Sequence, residues 1–418
     1  MQLPKSADLR RILIAQLPAD FADWLDYIAI LTLMTYIWRV DPIYFAWFAL
    51  FLAVPYVIIG PIAGAMVDRW ELKKVMILSN LGRAVTTAAL IFAPDINYIL
   101  ALVFLRGAVD AFYSPAKQVA FQALADKDEL MATNSLSFII NQVSKVIGPA
   151  VGGALLLWLA PQQVFFANAI LSVLAAAILL GLPAKVRKLE ASDKDDTMEK
   201  KRSLLADIGE GFQEIGSKPI LAGALLLGSV GFFAMFLYDT MIGLAVRDLG
   251  FTQEIFGTSI AFVGAGGVLG ALLLGNIKRE VHPFHYFGGA MLIVGPVGAF
   301  FGYAVIAQLT INPILFLSIF AVVGFVGAGM FVPQRTVLQR ETAPDKMGRV
   351  ASVNEGLSLL AIAISPFVGA LIARTYGLGY AFYLGGGIIF VTGMLALILS
   401  ISIKPSATSQ TENDATPQ

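Results

Sequence analysis

Twelve long apolar runs dominate the chain, and its polar residues gather mostly between them. The runs cover 12–38, 43–67, 75–93, 97–115, 134–158 and 163–183, then 220–243, 255–277, 284–306, 311–331, 350–373 and 380–403. Each approaches or exceeds the roughly 20 residues a helix needs to cross the hydrocarbon core of a bilayer. The pattern therefore predicts an all-α membrane protein of twelve transmembrane helices. One long polar stretch, 184–219, containing KVRKLEASDKDDTMEKKR, separates the first six runs from the last six. The expected organisation is an N-terminal six-helix bundle over 1–183, a cytoplasmic linker over 184–219, a C-terminal six-helix bundle over 220–404 and a disordered polar tail over 405–418. Inside the linker, Leu204, Leu205, Ile208, Phe212 and Ile215 recur at helical spacing behind Ser203, a good N-cap residue. That spacing predicts a helix lying along the membrane surface.

Composition sharpens the picture. Of 418 residues, 57% are hydrophobic and only 14% charged, against roughly 25% charged in soluble domains. Such a chain cannot cover a water-facing surface, so lipid is its main solvent. A net charge of zero gives no footprint for nucleic acid, and the absence of cysteine excludes disulfides, thiolate metal sites and thiol nucleophiles. The short basic stretch 1–11 precedes an apolar run too long for a signal-peptide core, so the first run is expected to be retained as a span. With the N-terminus inside, 23 of the 29 Lys and Arg residues fall on inner segments, and the outer loops hold only Arg39, Arg247 and Arg374. This asymmetry predicts a multi-pass protein of the cell's inner (plasma) membrane with both termini cytoplasmic.

Ionisable residues at membrane depth carry the most information. Each costs at least roughly 2.5–3.5 kcal/mol on insertion scales, so it needs a partner or a purpose. In the first run Asp20, Asp23 and Asp26 repeat every third residue and share one arc of a helix with Gln16 and Tyr27. The first half thus places four carboxylates, those three and Asp110, against three cations, Arg83, Arg106 and Lys145. One carboxylate is left over, and a buried carboxylate without a cation tends to take up a proton. If Asp20 is solvated at the inner mouth, the balance is even. In the second half Asp239 and Glu355 lie near span ends, where capping or gating roles are the expectation. His282 and His285 form an H-x-x-H without convergent carboxylates, so no metal site is expected.

The two halves repeat each other. Ser114-Pro115-Ala116-Lys117 aligns with Val332-Pro333-Gln334-Arg335 at an offset of 218, and Gly148-Pro149-Ala150-Val151-Gly152-Gly153 aligns with Ser365-Pro366-Phe367-Val368-Gly369-Ala370 at 217. Secondary transporters are commonly built from such repeats around a site at mid-membrane. No G-x-x-x-x-G-K-[ST] loop occurs, so this chain is not expected to hydrolyse nucleotide and its energy must come from a gradient or a partner. A membrane enzyme using Asp20, Asp23 and Asp26 as acid, base or metal ligands is disfavoured, since an active site needs no repeated scaffold.

Three local patterns resemble the major facilitator superfamily. Gly64-x-x-x-Asp68-Arg69 with Lys73 and Lys74 resembles its loop signature, although Glu71 replaces a glycine. Gly148-Pro149-x-x-Gly152-Gly153 resembles the antiporter signature of drug:proton exporters, with Ser135 and Ser144 at its earlier small positions. Arg106 stands where the family carries a fourth-span arginine. The 112–117 and 209–212 segments are similar to macrolide-type, siderophore and lysophospholipid transporters. The resemblance implies two pseudo-symmetric six-helix bundles, a cytoplasmic gate at Asp68, Arg69, Lys73 and Lys74, and export by alternating access. Asp23 and Asp26 are expected to carry the proton while Arg106 and Lys145 hold them ionised. The expected cargo is a small amphipathic molecule such as a drug or siderophore, and the expected partners are that substrate, protons and lipid, with the chain a monomer and no cofactor. A lysophospholipid flippase-type facilitator is the alternative; a metal-ion transporter is disfavoured by the basic neighbours of the carboxylates.

Overall fold

The computed structural model describes residues 4–67, 70–125, 127–183, 204–276, 282–342 and 346–402. Asp68, Arg69, Ser203, most of the linker and the tail fall outside these. Among the described residues the chain is helical and contains no strand. The first set of helices comprises α1 (Ala7–Thr32), continued by a π-helical turn over Leu33–Ile37, α2 (Pro42–Val67), α3 (Leu72–Leu90), α4 (Ile96–Asp110), α5 (Tyr113–Leu124), α6 (Lys127–Leu155) and α7 (Pro161–Leu180). Helix α8 (Leu204–Ser217) follows. The second set comprises α9 (Pro219–Phe236), a 3-10 turn over Asp239–Met241, α10 (Ile242–Asp248), α11 (Gln253–Asn276), α12 (Pro283–Ile306), α13 (Pro313–Glu341), α14 (Met347–Thr375) and α15 (Leu378–Ser402).

Local chemistry sets the ends. Asp95 accepts from the backbone N–H groups of Asn97 and Tyr98 at 2.8 and 3.0 Å, and Asn312 caps α13 in the same manner. Proline opens α7, α9, α12 and α13, where its missing N–H costs nothing. Among the described residues, seven stretches are long and apolar enough to cross a membrane: Pro42–Gly60, Ile96–Leu124, Pro161–Leu180, Pro219–Asp248, Phe284–Ile306, Arg349–Thr375 and Leu378–Ser402. Helix α1 is also long, but it carries Asp20, Asp23 and Asp26, so apolarity alone does not mark it.

Several helices overrun the expected spans, α6 by starting at Lys127 rather than 134, and two others at their far ends. The apolar pattern ends the fourth run at 115, yet the helix breaks at Ala111–Phe112 and continues as α5 to Leu124. Pro115 stands four residues beyond Ala111, where its ring crowds that carbonyl, but Pro333 at the equivalent place leaves α13 continuous, so the proline alone does not make the break. The equivalent tenth run, expected to end at 331, continues in α13 to Glu341. Both extensions are amphipathic, with a polar face that reads as loop when only apolarity is scanned.

Packing repeats between the two sets. In the first, α1 packs on α6 and α7, α3 on α4 and α7, and α2 on α4. In the second, α9 packs on α14 and α15, α12 on α13 and α15, and α11 on α13. Those are the same pairings taken in the same order. Across the sets, α6 meets α11 and α2 meets α14, and a twofold exchange of the sets turns one seam into the other. At the first seam the backbones touch: a Cβ on Gly153 would lie 2.0 Å from the carbonyl oxygen of Gly257. Only glycine fits there.

Helix α8 docks on the start of α14. Glu214 is paired with Lys218 at 2.8 Å and Lys346 at 2.7 Å, Glu210 with Arg349 at 2.6 Å, and Lys218 Nζ donates to the carbonyl of Glu341 at 2.6 Å.

Candidate functional site

Helix α1 brings its aspartates to the centre of the first set, and two guanidiniums meet them. Asp23 Oδ1 accepts from Nη2 of both Arg83, on α3, and Arg106, on α4. Asp26 is only 1% exposed; its Oδ2 accepts from the Thr87 hydroxyl at 2.8 Å and lies 3.2 Å from Arg106 Nε. Arg83, also 1% exposed, reaches Asp110 Oδ1 at 3.2 Å and donates to the Ala19 carbonyl at 2.7 Å. Tyr56, on α2, donates its hydroxyl to Asp110 Oδ2 at 2.6 Å. Four helices are thus tied at one point.

The cluster holds three carboxylates and two guanidiniums, so it carries one excess negative charge when every group is ionised. Burying charge is tolerable only where pairing and hydrogen bonds compensate it. Here Asp26 Oδ1 is buried without a well-formed hydrogen bond, the neighbouring Asn168 amide donating to the Ala22 carbonyl instead. An acceptor with an open lone pair beside fixed cations can take a proton or give one up without rebuilding its surroundings.

Two expected members stand elsewhere. Lys145 is exposed on α6, and the cation that joins Arg106 on Asp23 is Arg83. Depth within a span says nothing of which way a side chain faces, and this one stays outside the cluster. Asp20 belongs to a separate polar group nearer the N-terminal end. There Gln16 Nε2 and Asn141 Nδ2 donate to Asp20 Oδ2 at 2.8 and 3.3 Å, and the Ser137 hydroxyl donates to Gln16 Oε1 at 2.7 Å. One surplus carboxylate remains, as the residue count anticipates, but through a different set of residues.

The small-residue motif packs inward and across. A Cβ on Gly148 would meet Trp24 Cβ at 2.6 Å, whereas one on Gly152 would find Leu25 at 3.4 Å, an ordinary contact. Pro149 lies within α6. Gly153 faces α11 at the seam. Of the expected gate, Asp68 and Arg69 lie outside the described residues. Lys73 donates to the carbonyls of Leu180 and Leu182 at 2.8 and 2.6 Å, and Lys74 pairs with Glu71 at 2.8 Å. Those contacts stay within the first set.

Among the described residues, several bonds that join the sets lie toward the opposite, cation-poor end. Asp41 pairs with Arg374 at 3.4 Å, Arg247 donates to the Thr35 carbonyl at 2.9 Å, and the rings of Trp47 and Phe367 meet edge to face at 5.1 Å. Deeper, the Tyr27 hydroxyl donates to Asp239 Oδ2 at 3.4 Å. Sequence reasoning places Arg247 and Arg374 as lone outer cations without seeing that both bridge the halves. It misses Asn168 as well, whose amide donates to the Ala22 carbonyl at 2.8 Å. A lone carboxamide in an apolar run was the available signal.

Residues 12–366 match the Major Facilitator Superfamily. The chain belongs to that superfamily. It is therefore an integral membrane transporter of small molecules rather than an enzyme. It is 28% identical to the uncharacterized MFS-type transporter YfiS of Bacillus subtilis (strain 168), over 93% of this chain and 92% of that one. It is 26% identical to Macrolide efflux protein A of Streptococcus pyogenes, over 83% and 85%, and 26% identical to the enterobactin exporter EntS of Citrobacter koseri, over 81% and 79%. Exporters thus stand among the relatives of this superfamily member. In fold it resembles a bacterial homolog of the human lysosomal transporter Spinster in an inward-facing, unoccupied conformation, with a TM-score of 0.66 at 14% identity over 95% of this chain and 96% of that one. A POT family transporter bound to a thioalcohol-conjugated peptide gives 0.68 at 12% identity, over 94% and 96%.

Proposed function

We propose that this protein exports small amphipathic molecules, of the drug or siderophore kind, across the inner membrane in exchange for entering protons. Twelve spans form two pseudo-symmetric six-helix bundles, both termini lie in the cytoplasm, and a single chain is the working unit. The observation that carries the proposal is the surplus carboxylate of the central cluster. A proton taken up at Asp26 or Asp23 neutralises the cluster; its release restores the pairing with Arg83 and Arg106. The cycle alternates between these states as the halves rock about the α6–α11 and α2–α14 seams. The contacts between the halves named above lie toward the cation-poor end, which supports a conformation open to the cytoplasm under the positive-inside orientation. The relatives that handle macrolides and enterobactin support the outward direction and the cargo class.

The test is transport in reconstituted vesicles under an imposed pH gradient, across macrolides, siderophores and lysophospholipids. Gradient-driven accumulation of a macrolide or siderophore is expected. It should vanish in the Asp23→Asn/Asp26→Asn double variant while substrate binding partly survives, and Asp20→Asn should be milder. Wild-type coupling in the double variant would move the proton to Asp110. Movement of lysophospholipid without any pH dependence would favour the second reading, a flippase-type facilitator, which draws on the Tyr113-Ser114-Pro115-Ala116-Lys117 segment.

A further inference from the structure

The central cluster leaves a second polar region of the first half without a role. A cleft of about 410 Å³ opens between α1, α5 and α6 near their cation-rich ends. Helix α5 supplies one wall: Ser114, Lys117, Gln118 and Gln122 recur at helical spacing and form a single polar stripe toward the cleft. Asn134 on α6 joins them. The opposite wall is fixed, because Gln16 is fully buried and locked by hydrogen bonds to Asp20 and Ser137.

Among the described residues, Lys117 is the one charged side chain lining this cleft. Its ammonium donates to the Ser137 hydroxyl at 3.2 Å and sits 5.9 Å from the centre of the Tyr113 ring, and no carboxylate of the described residues pairs with it. Asp20, on the neighbouring helix, is already engaged by the amides of Gln16 and Asn141. An ammonium has three donors, and among the described residues only one of them is used. The wall therefore offers one cation that no described carboxylate pairs directly, with Asp20 and Asp110 acting on it only through space. Carboxamides, which both donate and accept, surround it.

We propose that this cleft receives a singly charged anion that also bears hydroxyl or amide groups. Its carboxylate or phosphate sits on Lys117 Nζ, and its neutral polar groups sit on the side chains of Gln118, Gln122 and Asn134. The inference rests on the export reading in one respect: it names the charge of the cargo, or of its head group, where cargo enters from the cytoplasm. Two sources share this chemistry, a soluble organic anion and the head group of an anionic lysolipid.

The absence of native cysteine makes the test clean. Ser114→Cys introduces one thiol on the cleft wall of the full-length chain, held in zwitterionic nanodiscs at low salt. The negatively charged sulfonatoethyl methanethiosulfonate should modify it about fivefold faster, relative to the positively charged trimethylammonioethyl reagent, when Lys117 is present than in Lys117→Gln. Gluconate serves as the soluble probe and lysophosphatidylglycerol in the disc as the lipid probe. Protection by gluconate assigns a soluble anion, and protection by the lysolipid alone assigns a head group. Either protection must be lost in Lys117→Gln and kept in Lys117→Arg, with both variants melting near the parent. A reagent ratio unchanged by Lys117→Gln, or no protection by either probe, overturns the proposal. Protection without proton-coupled flux sinks the export reading and leaves this one standing; flux without protection does the reverse.

Discussion

The two halves share a scaffold and differ in what fills it. In the first, Arg106 and Asp110 face the centre and bind Asp23, Asp26 and Arg83. The offset of 218 that aligns the 114–117 and 332–335 segments sets Arg106 and Asp110 against Gly324 and Ala328. At Gly324 a Cβ would lie 2.0 Å from the carbonyl oxygen of Val263, so α13 presses its backbone onto α11 where α4 instead projects an arginine. The corresponding interior of the second half is lined by Phe232, Met235, Phe287, Met291, Met330 and Gln334, around a void of only about 10 Å³. Twofold packing therefore does not require twofold chemistry. One half keeps an ionic core, and the other keeps an apolar one with adaptable methionines.

The largest effect expected from this contrast follows Arg83→Ala. The change leaves Asp110, its side chain 14% exposed, and Asp23, 37% exposed, with one guanidinium fewer. Losing a partner from a fully buried ion pair costs about 3–5 kcal/mol, and solvent at Asp23 reduces that here. The melting temperature in nanodiscs should fall sharply and transport should cease, whereas Arg83→Ala combined with Asp110→Asn should recover part of the stability. A wild-type melting curve for Arg83→Ala would mean that water, not the guanidinium, carries the cluster's charge.

Next come the glycines. Gly148→Leu drives into Trp24, and Gly153→Ala drives into the backbone of α11, so both should abolish transport while membrane insertion persists. Gly324→Ala should destabilise the second half alone. Gly152→Ala, with ordinary contact room, should stay near wild type, although Gly152→Leu should not. Transport assays beside detergent-resistant folding checks separate these outcomes; activity in Gly148→Leu and Gly152→Leu together would remove the motif from the mechanism.

A smaller effect is expected from Tyr27→Phe, which deletes the hydrogen bond to Asp239. The cation-poor end should open more often, read as a several-fold faster labelling of a cysteine placed at Trp47, with folding unchanged. No change would make the Tyr27–Asp239 contact incidental.

Smallest is a pH effect confined to α8. Hydrogen bonds from Lys218 and Lys346 hold the Glu214 carboxyl below its ordinary value of 4.5. A depressed carboxyl lends its stability above the unfolded value and loses it as pH falls through the folded one. Amide-exchange protection over 204–217, taken relative to the intrinsic base-catalysed rate, should therefore be flat between pH 5 and 8 and fall only in more acid solution, and Glu214→Gln should abolish that fall. Loosening of the parent helix near pH 7 would point to another anchor.

Much of this arrangement was legible beforehand. Hydrophobic runs located most helices within a few residues, and three-residue spacing put Asp20, Asp23 and Asp26 on one arc. What spacing leaves open is how each helix is turned against its neighbours. That turning splits Asp20 from Asp23, keeps Lys145 out of the cluster, and brings Thr87 and Tyr56 to the carboxylates. Polar extensions such as α5 escaped for a different reason: half of each turn is polar, so an apolarity scan ends too soon. The break at Tyr238–Met241, which sets Asp239 opposite Tyr27, carries neither proline nor glycine, so nothing local announced it.

The meeting of α1, α2, α3 and α4 at Asp23 and Asp110 has a mechanical consequence. Four rods pinned at one point resist shear against each other, as a truss does once its joints are fixed. Work applied at the seams then passes through the first half with little lost to internal bending. The softer second half, greased by methionine and phenylalanine rather than riveted by charge, is where shape can yield. A family built on this plan can retune what it carries by remodelling the compliant half and leave the stiff one untouched.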